Sequence, residues 1–255
     1  MVRLIVYNIQ YCAGDTGHIW EYFKFWTYLH PKPKLEADMI EFIRHQHPDI
    51  LALVEIDCGS IRNHFLDKAK FWKKKLHYRS MDEGHNYSLT GWKRWLYYAP
   101  YLRKQSNALM AKYELTDIKH HFLSKGFKNV VIEATIRCPK KLTLLLTHLS
   151  LGRAARTVQI KEISEIINNI KNPVIVMGDL NTFQGRHELD QLINSTKLQP
   201  VQLHKDNNFT FPAYHPTIRL DYILASKKIK IKSYKVLKTD FSDHLPVMVD
   251  FSFRK

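Results

Sequence analysis

The sequence predicts an α/β (α+β) fold in which mixed β-sheets form a sandwich with helices on the outside. Short segments rich in Val, Ile, Leu, Thr and Tyr recur along the chain, and this composition is typical of β-strands. Other segments repeat apolar residues at helical spacing. Because several strand-like segments follow one another with no helix between them, the order disfavours a strictly alternating βαβ fold.

Predicted strands occur along the whole sequence, from residue 3 to residue 253. They are RLIVYNI (3–9), DILALVE (49–55), NALMA (107–111), NVVIEATI (129–136), KLTLLLTHL (141–149), PVIVMGDLN (173–181), LDYILAS (220–226) and HLPVMVDFSF (244–253). Two helices are predicted between them. In 36–47, Met39 and Ile43 lie on one helical face, and in 153–171 Ile160 and Ile163 do the same.

Length and composition predict one domain over residues 1–255. The chain has 255 residues, of which 45% are hydrophobic, so it can bury a large core. No apolar run is long enough to cross a bilayer, and the N-terminal residues do not resemble a secretory signal. Three widely spaced cysteines fit no zinc pattern and favour reduced thiols. We therefore expect a cytoplasmic protein.

Charge is the most informative bulk property of the sequence. Lys and Arg number 39 and Asp and Glu number 24, which gives a formal net charge of +15. Such a surplus favours polyanionic partners, namely nucleic acid, an anionic membrane surface or phosphorylated small molecules. The alternative explanation of this positive charge is solubility alone. No feature predicts a protein partner, and we expect a monomer.

Polar residues that suit a catalytic site stand at the ends of the predicted strands. They are Asn8, Glu55, His148, Asp179, Asn181, Asp221, Asp243 and His244. Each one alone has an ordinary explanation, since Gly-Asp-Leu-Asn is a common turn composition and a histidine can sit in a core. Their repeated placement at strand ends favours a site instead, because a rigid sheet edge fixes side chains there.

The residue types also indicate a chemistry. If the GDLN segment is extended, Asp179 and Asn181 point to the same side and can converge on one substrate. The carboxylate can orient or deprotonate a water molecule, and the amide can donate to a phosphate oxygen. A histidine at a reaction centre needs a partner that fixes its tautomer, and Asp221 can provide this for His244.

Taken in order, these motifs resemble the endonuclease/exonuclease/phosphatase superfamily. The resemblance rests on YNI, the Glu that ends the second strand, THL, GDLN, RLDYIL and SDHLP, and it extends from about Asn8 to about Val249. The superfamily includes deoxyribonuclease-I-like nucleases, abasic-site endonucleases, neutral sphingomyelinases and inositol-polyphosphate 5-phosphatases. The resemblance implies a four-layer α-β-β-α sandwich of two mixed sheets.

The resemblance also implies a divalent metal site. Glu55 matches the main metal ligand, and Asn8 and Asp243 match residues that help to hold the ion or its waters. Many members carry a second polar or acidic residue two positions after the first Asn, where this chain has Gln10. An oxygen-rich set of this kind suits Mg²⁺ or Mn²⁺ rather than zinc.

The catalytic roles follow from the same resemblance. Asp179 matches the residue that positions the attacking water, and Asn181 matches an amide that contacts the phosphate. His244 matches the histidine at the scissile phosphate, with Asp221 as the carboxylate that orients it. His148 matches a second position that contacts the phosphate. Together these roles imply in-line attack of water on a phosphoester without a covalent enzyme intermediate.

Three further residues are candidates for substrate binding. Asn107 resembles an Asn that many members carry before a strand at the cleft. Arg153 and Arg156 open a predicted helix, where the helix dipole favours acids, so the two arginines are expected to meet a phosphate there. A solvated first helical turn is the alternative.

The substrate class stays open at this point. A nuclease acting on DNA or RNA agrees best with the charge and with the basic clusters at 68–75 and 227–236. For the second cluster, a half-buried edge strand is the favoured explanation of the alternating lysines. The alternative is a sphingomyelinase-like phosphodiesterase at a membrane surface or an inositol-polyphosphate phosphatase, for which the aromatic and basic segment 91–104 is the best evidence. That segment could also stack nucleic-acid bases or fold over the cleft. A catalytically inactive binding module is disfavoured by the complete set of site residues.

Overall fold

Two six-stranded mixed sheets pack face to face in the computed structural model of the protein, which describes residues 1–18, 32–85, 105–202 and 208–254. The strands are, in chain order, β1 (Val2–Asn8), β2 (Ile50–Asp57), β3 (Ser80–His85), β4 (Gln105–Ala111), β5 (Thr116–Phe122), β6 (Val130–Arg137), β7 (Lys141–His148), β8 (Val174–Asp179), β9 (Gln199–Pro200), β10 (Asp221–Ala225), β11 (Ile229–Val236) and β12 (Val247–Phe253). The helices are α1 (Pro33–Gln46), α2 (Lys68–Leu76), α3 (Arg153–Asn168) and α4 (Asp190–Thr196).

The two sheets share one design, in which a parallel pair of strands lies among antiparallel neighbours. The first sheet has the order β11-β12-β1-β2-β4-β3, and β1 and β2 are its parallel pair. The second has the order β5-β6-β7-β8-β10-β9, and β7 and β8 are parallel. Both sheets are mixed, as the sequence predicts, because several strands connect directly to antiparallel neighbours.

Three apolar layers hold the sheets and helices together. The core between the sheets contains side chains from both, such as Val6 and Leu144. The outer face of the first sheet packs against α1 and α2, where Trp72 is fully buried. The outer face of the second sheet packs against α3 and α4, with Ile160 and Ile163 buried. The four-layer α-β-β-α prediction is therefore confirmed.

The basic segment 68–75 forms most of helix α2. Asp67 caps this helix by accepting a hydrogen bond from the Lys70 backbone N–H at 3.0 Å. The last turn carries lysines at 73, 74 and 75, where positive charge is favourable against the helix dipole. The inward face buries Ala69 and Trp72. Packing and helix electrostatics thus account for this cluster.

The second basic segment forms strand β11 at the edge of the first sheet. Ile229 is buried, whereas Lys230 and Lys232 are exposed, so the alternation follows the two faces of the strand. Lysines on an edge strand also discourage pairing with another chain. The structure agrees with the edge-strand explanation. In the described part of the chain, no helix combines the length and hydropathy needed to cross a membrane.

Candidate active site

Strand ends from both sheets meet at one rim of the sandwich. Asn8 ends β1, and its Nδ2 donates a hydrogen bond to Asp179 Oδ2 at the end of β8, at 3.1 Å. His148 ends β7 and stands opposite Asp179 in the strand register, as does Asp221 on the other side. These side chains are almost fully buried, with exposures of 0–2%. Residues far apart in the sequence are therefore brought together as predicted.

His244 forms the centre of a buried triad of ionisable side chains, in which it is hydrogen-bonded to Asp221 and lies near Asp179. Its Nδ1 lies 2.8 Å from Asp221 Oδ2, and its Nε2 lies 3.8 Å from Asp179 Oδ2. Burial alone would lower the pKa of His244, but the carboxylates of Asp221 and Asp179 raise it to about 10. The carboxylate at Nδ1 orients the ring so that Nε2 faces Asp179. The imidazole is thus held in its protonated form at neutral pH.

Thr210 supports this triad and has no motif that reveals it in the sequence. Its hydroxyl oxygen accepts hydrogen bonds from the backbone N–H groups of Leu220 and Asp221, at 3.1 and 3.2 Å. Its carbonyl oxygen accepts from the Leu245 N–H at 2.8 Å. Thr210 therefore connects the segments that carry Asp221 and His244. The ring of Phe211, the next residue, lies 5.0 Å from the His244 ring.

The GDLN segment forms a turn rather than continuing as an extended strand. Asn181 has a left-handed φ of 50°, and its N–H donates to Asp179 Oδ1 at 3.0 Å. Its side-chain Nδ2 donates to the Leu149 carbonyl at 2.7 Å. The backbone of Asn181 therefore contacts the Asp179 side chain in an Asx-type turn, while the Asn181 side chain is directed at Leu149, and the expectation of an extended segment is wrong.

Gly178 makes this approach sterically feasible. Its φ is +143°, and a Cβ atom at this position would lie 1.8 Å from the Thr147 carbonyl oxygen on the neighbouring strand. Only glycine accommodates so close a backbone contact. The first residue of the GDLN motif is thus needed to place Asp179 beside His148.

Glu55 lies on a β-bulge of strand β2. The register pairs Leu53 with Ala108 and Ile56 with Ser106, so two residues of β2 stand opposite the single residue Asn107. Glu55 has a φ of 57°, a conformation that is strained for a side chain of this type. The bulge turns Glu55 toward the rim and places it next to Asn107, which is fully buried.

A lysine that the sequence motifs do not include contacts Glu55. Lys128 Nζ donates to Glu55 Oε1 at 2.7 Å and lies 2.8 Å from His148 Nε2. His148 Nε2 also lies 3.3 Å from Asp179 Oδ2. Burial would raise the pKa of Glu55, but the ammonium of Lys128 lowers it. Burial and the same ammonium lower the pKa of His148. The carboxylate is thus held ionised, while the imidazole is favoured neutral.

Asp243 joins the rim from the loop before β12. The Ser242 hydroxyl lies 2.8 Å from the Asn8 carbonyl, to which it donates, and 3.3 Å from Asp243 Oδ1. Asp243 is 7% exposed, and its carbonyl accepts from the Ala213 N–H at 2.8 Å. Ser242 therefore links Asn8 and Asp243, the two residues expected to assist Glu55.

Two groups of residues in the rim could hold a divalent cation. Asp179, Asp221 and His244 each offer one ligand atom, and these atoms lie within 4.8 Å of one another. The second group is the oxygen-donor set of Glu55, Asn8 and Asp243. A protonated His244 has no lone pair for a metal, which disfavours the first group at neutral pH. The second group is the set that the resemblance implies; it has the carboxylate and amide oxygens that Mg²⁺ and Mn²⁺ prefer, and its Glu55 already binds a cation, the Lys128 ammonium.

Arg156 does not meet the expectation that it binds substrate. Its side chain is buried, and its guanidinium donates to Glu188 Oε2 at 2.9 Å through Nε and to the Ser150 carbonyl at 3.0 Å through Nη1. A third bond reaches the Leu151 carbonyl. These contacts commit Arg156 to holding the start of α3. Arg153 is exposed and remains a candidate for substrate binding. The segment 91–104 lies outside the described residues.

Comparisons with known proteins find relatives of this sequence and of this fold. A 24% identical relative, the UPF0294 protein of Vibrio campbellii (strain ATCC BAA-1116), aligns over 60% of this chain but only 47% of its own length. The human Nocturnin catalytic domain superposes with a TM-score of 0.71 at 22% identity, covering 99% of this chain and 94% of that chain. A mannosyl-6-phosphatase of Bacteroides thetaiotaomicron VPI-5482 gives 0.68 at 16% identity, covering 99% and 100%.

These structural likenesses show the shared fold, and the family follows from the sequence. A model of the Endonuclease/Exonuclease/phosphatase family matches residues 6–244, which span the rim from β1 to His244. The chain therefore belongs to the endonuclease/exonuclease/phosphatase family.

Proposed function

We propose that the protein is a divalent-metal-dependent nuclease that hydrolyses a phosphodiester of DNA or RNA by in-line attack of water. The observation that carries this proposal is the buried contact of Asp179 with Asn8 at 3.1 Å, beside the His244–Asp221 pair. One carboxylate and one imidazolium thus stand together at the rim. This is the arrangement that water-mediated phosphoester hydrolysis requires.

The protonation states of Asp179 and His244 indicate the role of each residue. Burial would raise the pKa of Asp179, but the neighbouring His244 and His148 lower it well below its usual range. Asp179 therefore stays ionised and orients the attacking water. His244 donates a hydrogen bond from Nε2 to a phosphate oxygen, and Asp221 holds the ring through Nδ1.

Glu55, Asn8 and Asp243 would hold the metal ion, Mg²⁺ or Mn²⁺. When bound, such an ion offsets the charge of the phosphate and stabilises the oxyanion that develops during attack. Asn181 lies at the same rim and contacts Leu149, and Asn107 lies opposite Glu55 on the neighbouring strand. The two amides restrict where a phosphate group can bind, and His148 restricts the same space from the side of β7.

The net charge of +15 supports nucleic acid as the substrate, because phosphate contacts by Lys and Arg dominate the affinity of proteins for nucleic acids. A second candidate is hydrolysis of a phosphate ester on a small molecule or lipid. The likeness to a mannosyl-6-phosphatase favours this alternative, since the same fold there acts on a sugar phosphate.

A substrate panel at fixed Mg²⁺ tests the proposal. Plasmid DNA, abasic duplex, single-stranded RNA, sphingomyelin vesicles and inositol phosphates are each incubated with the protein, and the products are quantified. We expect cleavage of a nucleic acid, with turnover lowered by about 10²–10⁴ in Asp179→Asn and His244→Ala. Cleavage of only the lipid or inositol substrates would overturn the nuclease assignment. Wild-type turnover in both variants would overturn the assigned site.

A further inference from the structure

Lys128 contacts the rim from the loop before β6, and none of the recognisable motifs contains it. Its Nζ lies 2.7 Å from Glu55 Oε1 and 2.8 Å from His148 Nε2. The Lys128 side chain is 24% exposed and the Glu55 side chain is 14% exposed. The ammonium is therefore largely withdrawn from water and directed at the carboxylate that would be the main ligand of the metal.

The contact of Lys128 with His148 is incompatible with a hydrogen bond between His148 and Asp179. An ammonium has only protons to donate, so His148 Nε2 must accept from Lys128. The same Nε2 lies 3.3 Å from Asp179 Oδ2, and a carboxylate can only accept. One ring nitrogen cannot do both at once. Lys128 in this position therefore displaces the hydrogen bond between His148 and Asp179.

The other ring nitrogen of His148 shows the cost of this arrangement. If Nε2 accepts from Lys128, a neutral ring carries its proton on Nδ1. That atom is buried and has no hydrogen-bond partner among the described residues. An unsatisfied buried donor is unfavourable. Lys128 therefore holds His148 in a tautomer that gives up the hydrogen bond to Asp179 and gains none at Nδ1.

We propose that the Lys128 ammonium and a divalent metal ion alternate at Glu55, so that Lys128 must withdraw when the metal binds. The ammonium neutralises Glu55 before the metal arrives. Its withdrawal frees His148 Nε2 to donate to Asp179, which restores the hydrogen bond at the water-positioning carboxylate. This inference rests on the proposed metal site at Glu55, and it assigns to Lys128 a positioning role rather than direct contact with the reacting atoms.

Metal affinity measured without turnover tests the exchange. Mn²⁺ binding is followed by electron paramagnetic resonance for wild type, Lys128→Met, Lys125→Met and Glu55→Gln. Lys125 is exposed on the same loop, so Lys125→Met makes an equal charge change at a solvated position. We expect Lys128→Met to bind Mn²⁺ roughly tenfold more tightly, because a competing cation is removed at contact distance. Lys125→Met should change affinity by less than about twofold.

The possible outcomes distinguish the exchange of Lys128 from the existence of the metal site at Glu55. Unchanged or weaker Mn²⁺ binding in Lys128→Met, with weaker binding in Glu55→Gln, would overturn the exchange and keep the metal site. Unchanged binding in Glu55→Gln would overturn the metal site itself. As a second readout, reductive methylation of Lys128, quantified by mass spectrometry, should rise when Mg²⁺ is added. Equal labelling with and without Mg²⁺ would contradict the withdrawal of the lysine.

Discussion

At His244, burial and charge act on the same side chain in opposite directions. Burial disfavours the imidazolium, whereas Asp221 and Asp179 favour it, and the carboxylates dominate so that the pKa rises to about 10. The protonated form is therefore present at neutral pH and is lost as pH rises through the folded-state pKa. A proton donor at the rim is available across the whole physiological range.

Asp221→Asn should move the alkaline limit of activity to lower pH. The substitution removes one of the negative charges that raise the pKa of His244, so the imidazolium is lost at lower pH. In the pH profile of kcat/KM, we expect the alkaline limb to shift down by about 1–3 pH units. Asp240→Asn makes the same charge change at an exposed position and should leave the limb in place. An unshifted limb in Asp221→Asn would contradict the pairing.

Residues of the site differ in how well the sequence predicts them. Asp179, Asp221 and His244 stand in short motifs at strand ends, and the structure brings all three together. Lys128 and Thr210 belong to no motif, because a loop lysine and a loop threonine gain their roles only from long-range packing. The contact between Lys128 and Glu55 joins residues 73 positions apart in the chain. No local pattern encodes such a contact.

At the scale of single elements, the start of α3 shows a prediction that failed. The arginines there suggested phosphate binding, but Arg156 forms a buried ion pair with Glu188, with side-chain exposures of 2% and 6%. Glu188 lies in a short 3-10 helix at Arg186–Leu189, 32 residues further along the chain. The sequence reveals the charge of Arg156 but not the partner that the packing of α3 brings to it.

Glu188→Ala should destabilise the protein strongly. It leaves the buried guanidinium of Arg156 without its carboxylate, and we expect a loss of about 3–5 kcal/mol in the free energy of unfolding. The matched control is Glu114→Ala, since the Arg79–Glu114 pair has exposures of 66% and 65% and should contribute about 0–1 kcal/mol. Urea denaturation of both variants gives the comparison. Similar midpoints for the two would show that the Arg156 pair is not structural.

At the scale of the whole molecule, two sheets with central parallel pairs direct their polar strand ends to one rim. The fold was predictable because the strand and helix patterns are regular and the spacing of apolar residues identifies the buried faces, as with Ile160 and Ile163 on α3. The bulge at Glu55, with its left-handed φ of 57°, was not predictable because it depends on the pairing of β2 with β4, whereas the turn at Asn181 is local and has a common turn composition. The formal net charge of the whole chain is +15.

If the substrate is a nucleic acid, as proposed, that charge makes its binding dependent on salt. If about 6–10 phosphates are contacted, the affinity for DNA or RNA should fall by about 10³–10⁵ between 50 and 200 mM salt. Fluorescence anisotropy with the His244→Ala variant measures this without cleavage. Hydrolysis of bis(p-nitrophenyl) phosphate by the wild-type protein serves as the control and should change far less. A flat salt dependence for nucleic acid would favour the small-molecule alternative.

We propose that oxygen donors at the rim hold a divalent ion so that water attacks a phosphoester beside His244. The most direct measurement of this is the hydrolysis rate of bis(p-nitrophenyl) phosphate by the wild-type protein before chelation, after removal of divalent ions with EDTA, and after Mg²⁺ is added back. We expect the rate to fall to background and then to recover, while His244→Ala stays near background throughout. Hydrolysis that continues undiminished after complete removal of divalent ions would contradict it.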